Sequence, residues 1–260
     1  MFNLTALGEL TLILSMIHKT KGIVLRTVKY GETSLVVSAY TELFGVQSYL
    51  VNGIRTASKK GGSKAGFFQP SCILDLVVYH NEFKNLQRIK EYKWAHLYTH
   101  IFSDVPKNAV ALFIIELATK CLREQEANPD LFYFIEDALL HLDKASGSIT
   151  ANFPLFFALH FAVFFGFRIS DEHSEEQHFL DLQEGVFSAV QPPHPHYLDD
   201  KAAEVTAHIL KAMHPDELED LKLNQEFRRN LLQAYETYYA LHIADFGTMK
   251  TLPVLREMMS

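Results

Sequence analysis

Five short stretches near the start of the chain alternate apolar and polar residues with a period of two, which is typical of half-buried strands. They cover residues 22–30, 33–41, 45–54, 72–80 and 86–92. Each is rich in Val, Ile, Thr or Tyr, and glycine-bearing turns separate the first three. Five short strands in about seventy residues predict a small closed or nearly closed barrel.

After Trp94 the apolar period becomes helical. The pattern predicts helices over residues 105–126, 129–144, 153–167, 198–213 and 224–244. The third is apolar on most faces, so we expect it at the centre of the core. Residues 171–197 predict an insertion with an acidic turn, a hairpin (178–182 and 186–190) and a Pro/His loop. The fold class is therefore α+β, with a barrel followed by a helical bundle.

The charge is divided along the chain in the same way. Residues 16–93 carry twelve Lys/Arg against five Asp/Glu, a net charge of +7. From residue 94 to the end there are twelve Lys/Arg against twenty-five Asp/Glu, a net charge of −13. A basic segment joined to an acidic one predicts a confined surface for an anionic ligand. We expect two domains, 16–93 and 94–260.

The remaining composition limits the class of protein. Cys72 and Cys121 are the only cysteines, which fits a reducing cytoplasm. The longest apolar run, residues 154–167, is too short for a membrane span, so we expect a core helix and no membrane partner. Residues 1–15 lack the positive region of a signal peptide. Because Met16 is a more natural start, we interpret residues 1–15 as an upstream-start extension.

The strongest candidate for ligand contact is the loop that follows the third predicted strand. Arg55, Lys59, Lys60 and Lys64 stand on a Gly/Ser-rich scaffold that could follow a phosphate backbone, although a solvated loop would look the same. Two aromatic residues close the loop, Phe67 and Phe68, and core packing is favoured over base stacking for both. They also occupy the positions where a phosphate-binding P-loop requires Lys and Ser/Thr, which excludes that motif.

No motif in the sequence indicates an enzyme active site or a metal centre. The histidines at 173, 178, 194 and 196 cluster with acidic residues, but helical ligand spacing and thiolates are both absent. Surface histidines are the favoured interpretation of His173, His178, His194 and His196. We therefore expect no cofactor, no metal and no catalytic residue.

Several short motifs, in their order and spacing, resemble the RecO family of recombination-repair proteins. They are Tyr-Gly-Glu at 30–32, Thr-Glu-Leu-Phe-Gly at 41–45, Asn-Gly-Ile-Arg at 52–55 and Gln-Pro at 69–70. The resemblance extends over the chain from Met16. It implies an OB-fold joined to an α-helical bundle without a catalytic centre.

The resemblance also implies a function in DNA repair and homologous recombination in the bacterial cytoplasm, associated with the nucleoid. RecO-like proteins bind single- and double-stranded DNA and anneal complementary strands. They help to load the recombinase with RecR and with single-stranded-DNA-binding protein, whose C-terminal tail binds the helical domain. An RNA-binding OB-fold protein and a non-catalytic adaptor are the alternatives, and a hydrolase is a distant third.

This chain departs from many RecO-like proteins at the insertion. Those members carry a four-cysteine zinc site between bundle helices, whereas residues 171–197 contain no cysteine. We therefore expect no zinc there. In a domain of this size, apolar packing can stabilise the segment in place of a bound metal ion. We expect Phe179, Leu182, Val186 and Phe187 to hold the hairpin against the bundle.

The expected DNA-binding surface combines one barrel face with the basic loop. Its residues supply phosphate contacts that do not depend on sequence. Three tyrosines, Tyr30, Tyr40 and Tyr49, are candidates for base stacking, although at least half of these rings should point inward in alternating strands. The expected cations are Lys19, Lys21, Arg26, Lys29, Arg55, Lys59, Lys60 and Lys64.

Overall fold

The structure is a computed structural model, and it describes residues 17–54, 64–122, 126–170, 172–174 and 176–258. The chain forms two compact units. The barrel unit comprises the described residues up to Leu97 together with Leu122–Glu136. The helical unit comprises Tyr98–Cys121 and the described residues from Asp137 onward.

The barrel unit confirms the predicted five-stranded barrel. The strands pair in the closed order β1-β2-β3-β5-β4, which is an OB-like arrangement. All pairs are antiparallel except β3 with β5, which run parallel. The strands are β1 (Ile17–Tyr30), β2 (Ser34–Thr41), β3 (Gly45–Val51), β4 (Ile73–Tyr79) and β5 (Gln87–Trp94).

Alternate residues of these strands fill the barrel. Val37 and Tyr49 are cross-strand partners, and both belong to the buried apolar cluster. A Cβ at Gly22 in β1 would lie 2.8 Å from Leu76 Cδ1, so any larger residue there would force the buried Leu76 side chain to move. A short 3₁₀ helix, Lys64–Phe68, brings Phe68 into the same cluster. Apolar burial from every strand therefore stabilises the barrel.

The chain from Asn128 to Glu136 packs on the outside of the barrel unit. Tyr40 points outward from β2 yet is only 1% exposed, because its ring lies 5.9 Å from that of Phe132. Its hydroxyl donates to the carbonyl oxygen of Asn128 at 3.1 Å. The hydroxyl of Tyr133 donates to Glu42. One part of the outer barrel surface is thus buried within this unit.

The helical unit is built around an almost wholly apolar helix, α3, as predicted. Helices α1, α4 and α5 pack against α3, and α6 packs against α1 and α5. The residues of α2 are divided between the two units after Glu136. The six helices of the described chain are α1 (Val105–Cys121), α2 (Pro129–Lys144), α3 (Gly147–Ala162), α4 (Asp200–Lys211), α5 (Gln225–His242) and α6 (Thr251–Met258).

Several helix boundaries differ from the predictions, and one helix was not predicted. Helix α3 begins at Gly147, six residues earlier than predicted, because Ser146 caps it by accepting the backbone N–H of Ile149. The sequence did not predict α6. Its first turn is held by the distant carboxylate of Glu116, which accepts the N–H groups of Lys250 and Thr251 at 2.8 Å. Such a cap exists only once the chain is folded.

Helix α3 contains most of the apolar run that we expected to be a core helix and not a membrane span. With the 3₁₀ turn that follows it, Gly147–Phe165 is long and apolar enough to cross a membrane by length and composition alone. Two-thirds of its most apolar window is buried inside the fold. Burial of this extent fits the core helix that the sequence predicts.

The insertion forms a small three-stranded sheet in the order β7-β6-β8. Its strands are β6 (Phe179–Asp181), β7 (Val186–Ser188) and β8 (Tyr197–Asp199), so the predicted hairpin gains a third strand. Leu182 and Phe187 are buried as expected, whereas Val186 is 41% exposed and contributes less. The ring of Phe179 packs on Tyr197, within the sheet itself.

Candidate nucleic-acid interface

A β-bulge divides the long first strand into two halves with different neighbours. Residues 17–23 pair with β4, and residues 22–30 pair with β2, with a register shift between Val24 and Arg26. Lys19 and Lys21 therefore lie on the β4 side of the barrel, whereas Arg26 lies on the β2 side. The expected cations of this strand do not form one continuous face.

An accessible surface lies on the outside of β1, β2, β3 and β5. Arg26 pairs with Ser38, Ser38 pairs with Ser48, and Leu50 pairs with Arg88. Because side chains opposite each other share a face, these five residues point outward together. We call Arg26, Ser38, Ser48, Leu50 and Arg88 the open face. Both arginines are exposed, and neither has a carboxylate within 4.0 Å in the described chain.

The β4–β5 loop, which leads into Arg88 of the open face, presents an aromatic ring to solvent. Phe83 is 97% exposed and is followed by the exposed Lys84. The loop is braced by the buried Gln87, whose side-chain amide donates to the carbonyl oxygens of Asn81 and Lys84 at 2.8 and 2.6 Å. Gln87 pairs with Tyr49 of β3 and precedes Arg88, so the loop leads directly into the open face. The loop is therefore fixed by hydrogen bonds while its phenyl ring faces solvent.

Sequence reasoning missed Phe83, Lys84 and Arg88. A recognisable signal was present, because Phe83 stands between Glu82 and Lys84 in a stretch with no apolar period. A large aromatic residue in such a stretch has no core to enter.

The other expected cations lie outside the open face. Lys29 and Lys64 are exposed, Lys29 near the end of β1 and Lys64 at the start of the 3₁₀ helix. The central part of the basic loop, with Arg55, Lys59 and Lys60, lies outside the described residues. Its role in DNA contact therefore remains a prediction.

Lys21 is held by an ion pair within the barrel unit. Its ammonium lies 2.9 Å from both carboxylate oxygens of Glu136, whose side chain is 8% exposed. Burial alone would lower the pKa of Lys21, but the hydrogen bond and charge of Glu136 outweigh burial and raise it. The charge of Lys21 is thus already neutralised by a carboxylate. We leave it out of the proposed interface.

Lys19 lies on a surface of mixed charge. The outer face of β1, β4 and β5 carries Lys19, Asp75, Glu91 and Lys93 around a hollow. The Lys93 ammonium lies 3.2 Å from an Asp75 oxygen. Two acidic residues offset two basic ones there, so this surface offers phosphate less attraction than the open face.

The stacking expectation is wrong for two of the three tyrosines. Tyr40 and Tyr49 are 1% and 0% exposed, and burial raises the pKa of Tyr40 to about 12. Only Tyr30, at 57% exposure, can meet a base. The expected core packing of Phe67 and Phe68 is confirmed, with Phe68 buried and Phe67 stacked 4.3 Å from Trp94.

The histidines of the insertion pack locally. The Nε2 atom of His194 lies 3.2 Å from the Asp181 carboxylate, and the rings of His173 and His178 contact Phe187 and Phe179. Across the described ranges, no three His, Cys, Asp or Glu residues are grouped so that they could hold a metal ion.

Comparison with known families agrees with this geometry. The family model described as recombination protein O N terminal matches residues 16–98. The one described as recombination protein O C terminal matches residues 103–251. The chain belongs to the RecO family. The first match covers the barrel with its open face, and the second covers most of the helical unit.

Individual relatives support the same assignment over nearly the whole chain. The DNA repair protein RecO of Phocaeicola vulgatus is 33% identical over 245 residues, which is 94% of this chain and 100% of the relative. Those of Bacteroides fragilis and Flavobacterium psychrophilum are each 34% identical, over 94% and 93% of this chain and 99% of each relative. The family supports a function in DNA repair and recombination for this protein.

Proposed function

We propose that the barrel binds single- and double-stranded DNA and anneals complementary strands without catalysing a covalent reaction. The observation that carries this proposal is the exposed ring of Phe83 on its braced loop, together with the unpaired Arg26 and Arg88 of the open face. Aromatic rings stack on bases of any identity, and arginines contact phosphates of any sequence. Annealing needs contacts of this sequence-independent kind.

The form of the open face supports loose binding rather than base readout. Between its two arginines lie Ser38 and Ser48, whose short side chains leave the strands accessible to an extended backbone. A strand held by phosphate contacts and a few stacked bases can still expose its pairing edges to a complement.

We further propose that the protein acts as a mediator with RecR and single-stranded-DNA-binding protein to load the recombinase in the bacterial cytoplasm, at the nucleoid. The acidic segment from residue 94, with its net charge of −13, repels phosphate and is better suited to protein contacts. We assign the C-terminal tail of single-stranded-DNA-binding protein to this helical domain. The support is membership of the RecO family.

The test is annealing of complementary oligonucleotides, bare and coated with single-stranded-DNA-binding protein, across a salt series. We expect the protein to accelerate annealing of both forms. Annealing of bare strands alone would contradict the mediator role, and annealing of neither form would contradict the proposed function.

A Phe83→Ala variant tests the interface itself. Loss of one stacked base should weaken single-strand binding by about 1–3 kcal/mol. Leu97→Ala is the matched control, since Leu97 is a 67% exposed apolar residue that is not one of the open-face residues. Equal affinities of the two variants in fluorescence anisotropy would remove Phe83 from the interface.

A further inference from the structure

A cavity of about 720 Å³ in the helical unit lies where three helices begin. Pro106, Gly147 and Gln225, from the first turns of α1, α3 and α5, line it. The side chains of Lys144 and Arg228 line it as well. None of these residues belongs to the open face of the barrel.

The charged groups that line this cavity are mainly cationic. Asp104 is the one acidic residue among them, and its Oδ1 atom accepts the backbone N–H of Lys107 at 3.0 Å. The ammonium of Lys107 donates to a main-chain carbonyl oxygen at 2.8 Å, so it is already engaged. Lys144 is exposed and has no carboxylate within 4.0 Å in the described residues.

Arg228 carries a half-buried charge that lacks an anionic partner. One terminal nitrogen donates to the carbonyl oxygen of Leu223, while Nε is buried and has no acceptor among the described residues. Burial lowers the pKa of the guanidinium. A buried charge without a counter-charge costs free energy, and an anion in the cavity would remove that cost.

The helix ends add further donors. Ser146 accepts the N–H of Ile149, and Asn224 accepts that of Phe227 at 2.8 Å. Each cap satisfies one backbone group of its first turn. The first N–H groups, at Gly147 and Gln225, have no acceptor within their helices and carry the positive end of the helix dipole. Two such ends beside Lys144 and Arg228, neither of which has an anionic partner among the described residues, form an arrangement suited to an oxyanion.

We propose that this cavity binds a small organic phosphate, with the phosphate group held by Lys144, Arg228 and the first N–H groups of α3 and α5. A doubly charged oxyanion can accept hydrogen bonds from all four donors at once. The volume falls within the range of small-molecule sites and leaves room for an organic group beyond the phosphate. A long polyanion is disfavoured by the net charge of −13 on this part of the chain.

The test is isothermal titration calorimetry of the full chain with pyrophosphate, at an ionic strength held constant with sodium chloride. We expect saturable binding. Lys144→Gln should weaken it about tenfold, because one charge-assisted hydrogen bond is lost. The matched control is Lys222→Gln, an exposed lysine outside the cavity lining, which should bind like the parent.

Two further variants separate this site from folding and from the barrel. Arg228→Gln should weaken pyrophosphate binding at least as much as Lys144→Gln does, provided that its far-UV dichroism spectrum matches that of the parent. If Arg228→Gln does not fold, the Lys144→Gln variant alone decides the test. Arg26→Ala with Arg88→Ala should leave pyrophosphate binding unchanged even where DNA binding is lost. The two proposals can therefore fail separately.

Three outcomes would overturn the proposal. The first is a titration in which pyrophosphate produces no more heat than sodium chloride does at the same ionic strength. The second is an equal loss of affinity in Lys144→Gln and Lys222→Gln, which would indicate non-specific charge attraction. The third is acetate binding as tightly as pyrophosphate, which would indicate a carboxylate site and not a phosphate site.

Discussion

Removing the two arginines of the open face should change how DNA binding depends on salt. The perturbation is Arg26→Ala together with Arg88→Ala. Both side chains are exposed and free of carboxylates in the described chain, so each can release one counterion from DNA when it contacts a phosphate. Neither contributes to the buried barrel cluster, and the fold should tolerate their loss.

The expected magnitude follows from the number of phosphates contacted. If the parent neutralises about three to five phosphates, the slope of log K against log salt is about −2 to −4 for single-stranded DNA. Each lost contact reduces the slope by about 0.7, so the double variant should be shallower by about 1.4.

Fluorescence anisotropy with a labelled single strand, repeated over a range of sodium chloride concentrations, measures this slope. Lys21→Ala is the informative control. Its ammonium is paired with Glu136, so its loss should leave the slope unchanged. It should instead destabilise the fold by about 1–3 kcal/mol, because a buried carboxylate loses its partner.

Two results of the salt titration would refute this reasoning. If Lys21→Ala reduced the slope as much as one of the open-face substitutions, the ion pair would not persist in solution and the proposed division of the strand would be wrong. A parent slope near zero would reject phosphate contact by the barrel altogether.

Three further predictions test other parts of the molecule. Lys59→Ala with Lys60→Ala should weaken DNA binding in a gel shift while far-UV dichroism and melting temperature stay unchanged; equal affinity would exclude that loop. Gly22→Ala should lower the free energy of unfolding in urea by about 1–3 kcal/mol, since its Cβ would lie 2.8 Å from Leu76 Cδ1. Burial would raise the pKa of Asp143, but three backbone N–H groups outweigh it and lower the pKa below 3.8. Its stabilisation is therefore complete above pH 3.8 and lost as pH falls through the lowered pKa, so Asp143→Asn should be destabilised at neutral pH and approach the parent in acid.

The local pattern of apolar and polar residues was sufficient to predict the strands of the barrel. The period of two over residues 34–41 and 45–51 reflects alternation between an apolar interior and the outside, and the structure confirms those strands. The same alternation warned that some tyrosines must point inward. It could not say that Tyr40, on the outer side, is covered by Phe132 from a segment far along the chain.

The sequence by itself determined the order of barrel and bundle, the charge division and the resemblance to the RecO family, because these depend on composition, period and short motifs. Only the tertiary structure decided which cations are available. It pairs Lys21 with Glu136, separates Lys19 from Arg26 by a bulge, and brings Arg88 beside β3. Salt-bridge partners and strand register join residues distant in sequence, and no local pattern encodes them.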